Sequence, residues 1–85
     1  MASRARAQVG AARVLFDDGD LDTAEALLED SLAVDPGRAQ SHYLRSRILL
    51  KRGDKVGARH AMVDFKRLEN GLPPRYYGRD REGEE

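Results

Sequence analysis

The chain of 85 residues is long enough for one small domain, and it carries 15 basic and 15 acidic residues. A domain of this size buries only about 60% of the surface of its unfolded chain, so its core is thin. The absence of cysteine excludes a disulfide framework and a thiolate metal site. No apolar run is long enough to span a membrane, and the first ten residues lack the apolar core of a secretory signal, so we expect a cytoplasmic protein.

The charges form blocks of opposite sign along the chain. Residues 1–16 carry three arginines and no acid, and residues 17–35 carry eight acids and no base. Residues 36–68 then carry nine bases against two acids. Such blocks suit pairing within the molecule or an electropositive surface for a specific anionic partner. They do not suit general nucleic-acid binding, which usually accompanies an overall basic excess.

The first half of the chain contains two helical patterns. Apolar residues recur at helical spacing over residues 9–16, and this run stops before Gly19. A second pattern over residues 21–32 ends at Asp35 and Pro36. Proline cannot continue the hydrogen-bond ladder of a helix, and it disfavours helical geometry at the residue before it. We therefore predict a helix, a short turn and a second helix that stops before the proline.

The second half contains two more helical patterns. One runs over residues 43–50 towards Gly53, and the other runs over residues 56–68 and closes at Asn70. No stretch alternates with a period of two for long enough to predict a strand. We therefore predict an all-α fold of four antiparallel helices, each about 13–16 residues long, which is a usual length in globular proteins.

The end of the chain has a different composition. Pro73 and Pro74 forbid a helix there, and residues 79–85 contain no apolar side chain. We therefore predict a charged, flexible tail over residues 73–85. Two alternatives stay open for Tyr76 and Tyr77, which either fold back on the last helix or lie exposed for a partner.

The sequence matches itself after a shift of 34 residues. The shift places one glycine–aspartate pair on another and aligns small, apolar and basic positions: Gly19-Asp20 with Gly53-Asp54, Ala12 with Ser46, Arg13 with Arg47, Leu15 with Leu49, Ala24 with Ala58, and Leu28 with Met62. A 34-residue period with a helix–turn–helix in each unit is typical of the tetratricopeptide repeat. The chain resembles that family over units 5–38 and 39–72. The resemblance implies a two-repeat domain over residues 1–72, built as a short right-handed solenoid.

The glycine–aspartate pairs have a physical role in this arrangement. Gly19 and Gly53 can end the first helix of each unit in left-handed geometry without the steric penalty of a Cβ atom. Asp20 and Asp54 then stand where a side-chain oxygen can cap the next helix. The small residues at the aligned positions let paired helices approach closely, and the leucines and Met62 fill the space between them.

The acidic stretch around the first turn also resembles a calcium-binding loop. Aspartates alternate over residues 18–22, and Glu29 follows at the spacing of an EF-hand. An EF-hand needs glycine at its sixth loop position, where this chain has Thr23, and residues 24–32 already have the pattern of a packed helix. We therefore predict no metal site and no cofactor. We interpret the acids as carboxylates near a helix N-terminus, where the helix dipole favours them.

The sequence offers no catalytic arrangement. His42 and His60 belong to helices of different type, with no nucleophile in register, and we interpret each as a lone surface histidine. The glycines are scattered singly and form no phosphate-binding motif. We therefore predict that the protein is not an enzyme.

The resemblance also implies a function. In tetratricopeptide repeat proteins the first helix of each unit lines a concave groove that holds an extended peptide or a partner's helix. Carried over to this chain, the groove-facing residues are Arg6, Val9, Arg13, Phe16, Asp17, Gln40, Tyr43, Arg47, Leu50 and Lys51, of which all but Asp17 are predicted to bind the partner. We predict a protein-interaction adaptor that binds an acidic or C-terminal peptide segment, since arginine suits carboxylates and is common at binding hot spots. The alternative is that the arginines are solvated or pair with the acidic block.

Two other functions remain open. Stacked repeats usually need about three units to bury a stable core, so self-association or an obligate place in a larger complex is the second hypothesis. Phe65 stands where the family usually has a small residue, so we expect the tail or another chain to cover it. Nucleic-acid binding by the basic second half is a distant third hypothesis, which predicts strong salt dependence.

Overall fold

Four α-helices make up the fold in the computed structural model, which describes residues 4–75, with side chains from Arg6 onward. They are α1 (Arg4–Asp17), α2 (Leu21–Val34), α3 (Ala39–Lys51) and α4 (Lys55–Glu69). The described residues contain no strand, and the predicted all-α class is confirmed. Helices α1 and α2 form one helical hairpin, and α3 and α4 form a second. Helix α3 also packs against α2 and α1, so it contacts every other helix.

Both hairpin turns have the same backbone conformation. Gly19 and Gly53 have φ angles of +89° and +88°, in the left-handed region that residues with a Cβ atom rarely adopt. In each turn the N–H of the following aspartate donates to a leucine carbonyl five residues earlier, at 2.9 Å. This pattern satisfies carbonyls that the helix end would otherwise leave unpaired. The predicted role of the two glycines is confirmed.

The aspartates of these turns cap the second helix of each hairpin. Asp20 Oδ1 accepts a hydrogen bond from the Thr23 N–H at 3.2 Å. Asp54 Oδ1 accepts one from the Gly57 N–H at 2.8 Å. A side-chain acceptor at this place satisfies one of the N–H groups that have no partner within the helix. Both predicted caps are present.

The apolar core lies between the first hairpin and α3. Leu28, Leu32 and Ile48 are each 1% exposed or less, and burial of such a side chain contributes roughly 1.5–3 kcal/mol. Ala12 and Ala24 are fully buried, which allows the α1 and α2 backbones to approach closely. Three leucines pack against this core from its edge: Leu15, Leu21 and Leu27.

The second hairpin has a thinner apolar contact. The buried apolar residues of α4 are two alanines, Ala58 and Ala61, while Met62 and Phe65 are only half-buried. Among the described helices, α4 packs on α3 alone. The second hairpin therefore has less apolar burial to hold it than the first.

Replacing Asp54 with alanine removes the side-chain acceptor at the start of α4. We expect the free energy of unfolding to fall by about 1 kcal/mol, as for other helix caps, in a urea denaturation experiment. Asp30→Ala is the matched control, because Asp30 is an exposed carboxylate on α2. This control should change stability by less than about 0.5 kcal/mol. Equal effects of the two substitutions would show that the cap contributes nothing specific.

Candidate functional site

Two aromatic rings and two cations meet where the C-terminal end of α1 lies beside α3. The Arg47 guanidinium carbon lies 5.4 Å from the centre of the Phe16 ring and 5.9 Å from the centre of the Tyr43 ring. Lys51 Nζ lies 5.9 Å from the centre of the Phe16 ring. These distances are in the range of cation–π attraction. We call Phe16, Tyr43, Arg47 and Lys51 the aromatic–cation cluster.

The four cluster residues differ in exposure. Phe16 is only 9% exposed and lies beneath the two cations. Its ring therefore packs against the cations and offers little surface to a partner. Tyr43 is 41% exposed, and Arg47 and Lys51 are exposed. A cation that packs against a ring keeps its N–H groups available for an anion. Its side chain has also lost conformational freedom before a partner binds, which lowers the entropy cost of binding. The cluster thus presents ordered positive charge next to an aromatic surface.

The other predicted groove residues lie outside this cluster. Val9 is 8% exposed and belongs to the apolar core, so it contributes little surface in this chain. Leu50 is 59% exposed. Four more predicted groove residues are exposed on α1 and α3: Arg6, Arg13, Asp17 and Gln40.

The Tyr43 ring also packs against α4. The centres of the Tyr43 and Phe65 rings lie 5.3 Å apart with an angle of 48° between the planes. Tilted aromatic pairs at this separation are favourable beyond their burial. Phe65 therefore helps to hold Tyr43 beside Arg47, a role that the sequence pattern did not predict. The unusual size of Phe65 at its repeat position predicts a cover from the tail or another chain, whereas the ring contact found among the described residues is with Tyr43 of α3.

The acids of α2 pair with arginines of the second hairpin. Arg52, at the end of α3, binds Asp22 and also lies 2.8 Å, from Nε to Oε1, from Glu25. Glu29 Oε2 lies 4.0 Å from Arg45 Nε. The hydrogen bond to Asp22 and the attraction of Glu25 raise the pKa of the Arg52 guanidinium above its ordinary value, against an opposing effect of desolvation. Three acids of the acidic block, Asp22, Glu25 and Glu29, therefore pair with arginines of the basic second half of the chain.

Within residues 4–75, no group of three or more histidine, cysteine, aspartate or glutamate side chains is arranged to hold a metal ion. In the same part of the chain, no helix has the length and apolar character needed to cross a bilayer.

His42 is buried, so its interpretation as a surface histidine was wrong. Its ring is 0% exposed, and Nε2 lies 2.6 Å from the carbonyl oxygen of Pro36. A carbonyl only accepts hydrogen bonds, so Nε2 carries the proton and donates. Nδ1 lies 3.8 Å from Oδ2 of Asp64, which is itself only 4% exposed. The histidine thus joins the turn before α3 to α4, a contact that a helical pattern does not reveal. His60 is exposed, as predicted.

The chain beyond α4 folds back along that helix. Gly71 has a φ of +78°, and the Leu72 N–H donates to the Arg67 carbonyl at 2.8 Å, which ends α4 as in the hairpin turns. Arg67 Nε then donates to the Pro73 carbonyl at 2.7 Å. The Arg75 N–H donates to Oδ1 of Asp64, also at 2.7 Å. Residues 72–75 therefore lie against α4.

The rest of the predicted tail lies outside the described residues. This part includes Tyr76 and Tyr77, whose two alternatives stay open. The predicted flexibility of the tail stays a prediction.

Two hairpins with matching turns, stacked through α2 and α3, define a helical-repeat protein. A family model described as tetratricopeptide repeat matches residues 3–64, well over half of the chain. The chain therefore belongs to the tetratricopeptide repeat family, as the 34-residue period predicted. Comparisons with curated proteins and with solved structures found no match.

Removing the segment that contacts Asp64 should destabilise the protein. Ending the chain after Leu72 keeps the end of α4 but removes the hydrogen bonds from Arg67 to Pro73 and from Arg75 to Asp64. We expect the free energy of unfolding to fall by about 1–2 kcal/mol, because a buried carboxylate loses a donor.

The matched control ends the chain after Arg75 and keeps both hydrogen bonds. Thermal and urea denaturation of the two shortened chains measures the difference directly. Equal stability of the two would show that residues 73–75 contribute nothing to the fold.

Proposed function

We propose that the chain is a non-enzymatic interaction module that binds an acidic or C-terminal peptide segment across α1 and α3. Members of the tetratricopeptide repeat family mediate protein–protein interactions, which gives the general class of partner. The chemistry of the aromatic–cation cluster supports the finer assignment. The observation that carries it is the position of Arg47 against both the Phe16 and Tyr43 rings.

The charge of the cluster supports an anionic partner. Several acids near α3 already pair with Arg45 and Arg52. Within residues 4–75, Arg47 and Lys51 contact rings and not carboxylates. No carboxylate among these described residues therefore pairs with the two cations, which supports an anionic partner. The planar guanidinium of Arg47 can hold a carboxylate through two parallel hydrogen bonds.

The apolar side chains around the cluster support a partner with an apolar or aromatic side chain. Tyr43 presents a partly exposed ring, and Leu50 is 59% exposed. Tyrosine and arginine are among the residue types most enriched at binding hot spots. Arg6, Arg13 and Gln40 extend the same proposed surface along α1 and α3, so an extended peptide of several residues fits the proposal.

A displayed library of random peptides with free C-termini tests the proposal, since it samples many combinations of acidic and apolar residues. We expect enriched peptides to carry acidic residues beside an aromatic or aliphatic one. The double variant Arg13→Glu/Arg47→Glu should bind them at least roughly tenfold more weakly, as expected for charged hot-spot residues. Amidation of a selected peptide's C-terminus then separates recognition of the terminal carboxylate from recognition of acidic side chains.

Lys55→Glu/Lys66→Glu is the matched control, because it makes the same change in net charge on exposed residues of α4. Circular dichroism should show unchanged helicity for both double variants. Of the single variants, Arg47→Glu should weaken binding more than Arg13→Glu, because the ring contacts belong to Arg47. Selected peptides that bind the Arg13→Glu/Arg47→Glu variant as well as the original chain would rule out this surface.

A further inference from the structure

The first and last helices expose aliphatic side chains on their outer faces. On α1, Val14 is 60% exposed, and Ala7, Gly10 and Ala11 lie exposed on the same face at helical spacing. On α4, Val56 and Val63 lie two turns apart and are 60% and 44% exposed. These faces are separate from the aromatic–cation cluster.

The contact between α2 and α3 shows how such faces pack in this fold. The 34-residue shift relates α1 to α3 and α2 to α4. Ile48 of α3 is fully buried in the core that α2 shares. Its repeat-related residue on α1 is Val14, which is mostly exposed. The face of α1 around Val14 thus corresponds to a face that α3 buries against the second helix of a hairpin.

The ion pair at the α2–α3 contact has a counterpart on α4 and α1 in which the two charges are exchanged. At the α2–α3 contact, Glu25 of α2 lies 2.8 Å from Arg52 at the end of α3. The shift places Arg59 of α4 at the position of Glu25, and Asp18 at the end of α1 at the position of Arg52. Both Arg59 and Asp18 are exposed. If α4 packs on α1 of a second copy as α2 packs on α3, the ion pair is retained with its signs reversed.

A second pair of facing residues on α2 and α3 also differs from its repeat-related pair on α4 and α1, and both members differ together. Glu29 of α2 lies 4.0 Å from Arg45 of α3. The related residues are Val63 on α4 and Ala11 on α1, so an ionic contact becomes an apolar one on both sides at once. Neither substitution leaves an unpaired charge facing an apolar residue.

We propose that the chain associates with a second copy of itself, head to tail, through α4 of one copy and α1 of the next. In this arrangement Arg59 pairs with Asp18 of the second copy, and Val63 packs on Ala11 of the second copy. A pair leaves the α1 face of one copy and the α4 face of the other uncovered, so association continues beyond a dimer unless the rotation closes a ring. Lys55 and Lys66 stand where α2 has Leu21 and Leu32. The contact is therefore more polar than the α2–α3 contact and weakens as salt screens it.

Charge exchange between two variants tests this arrangement. Sedimentation velocity of the full chain at low salt should show an average mass that rises with protein concentration. Arg59→Glu alone and Asp18→Arg alone should each associate at least roughly tenfold more weakly, because like charges then face each other. An equimolar mixture of the two variants should associate again, because the glutamate introduced on α4 of one variant then faces the arginine introduced on α1 of the other. That pairing has the same signs as the contact of Glu25 with Arg52.

Restored association in the mixture also shows that neither variant is misfolded. The control variant, Arg13→Glu/Arg47→Glu, changes the α1–α3 surface and should associate like the original chain. A chain that stays monomeric at every concentration would overturn the proposal, as expected if another protein covers these faces. Single variants that associate as strongly as the original chain, or a mixture that fails to associate, would also overturn it. None of these results depends on whether the aromatic–cation cluster binds a peptide.

Discussion

The packing of α3 against the three other helices holds the structure together. Ile48 and Leu44 of α3 join the core formed by the first hairpin, while the opposite side of α3 carries α4. Because α4 packs on α3 alone among the described helices, its position depends entirely on where α3 lies. The aromatic–cation cluster depends on the same placement, since three of its four residues belong to α3.

Charged residues surround the α2–α3 contact and contribute mainly to its orientation. Asp22 is 89% exposed at its side chain, and pairs in contact with solvent add little to stability. The apolar residues beneath them supply most of the favourable free energy. The ion pairs nevertheless fix which residues face one another, because a slip of one helical turn would separate Arg52 from Glu25. Three acids of the second block, Asp22, Glu25 and Glu29, therefore meet two arginines of the third block, Arg45 and Arg52, at this one contact.

The parts of the fold that were predictable from sequence are those determined within a few residues. The glycine–aspartate turns, the two caps and the stop before Pro36 involve groups no more than about one helical turn apart. The burial of His42 and its approach to Asp64 were not predictable, because they depend on how α4 packs on α3. The family resemblance placed Val9 in the groove, whereas its side chain lies in the core that the first hairpin shares with α3. Helical spacing identifies a face of a helix but does not say how wide the buried part of that face is.

The aromatic–cation cluster illustrates why repeated backbone geometry does not produce repeated chemistry. Arg13 and Arg47 occupy related positions, but the residue related to Tyr43 is Val9, which has no ring to offer a cation. Arg47 obtains its second ring, Phe16, from the first helix of the other hairpin. The two rings therefore lie beside Arg47 only at the junction of the two units, and neither unit alone can supply both of them. The proposed binding surface therefore depends on the stacking of the hairpins, and a change that rotates α3 relative to α1 separates Arg47 from the Phe16 ring even where both helices stay intact.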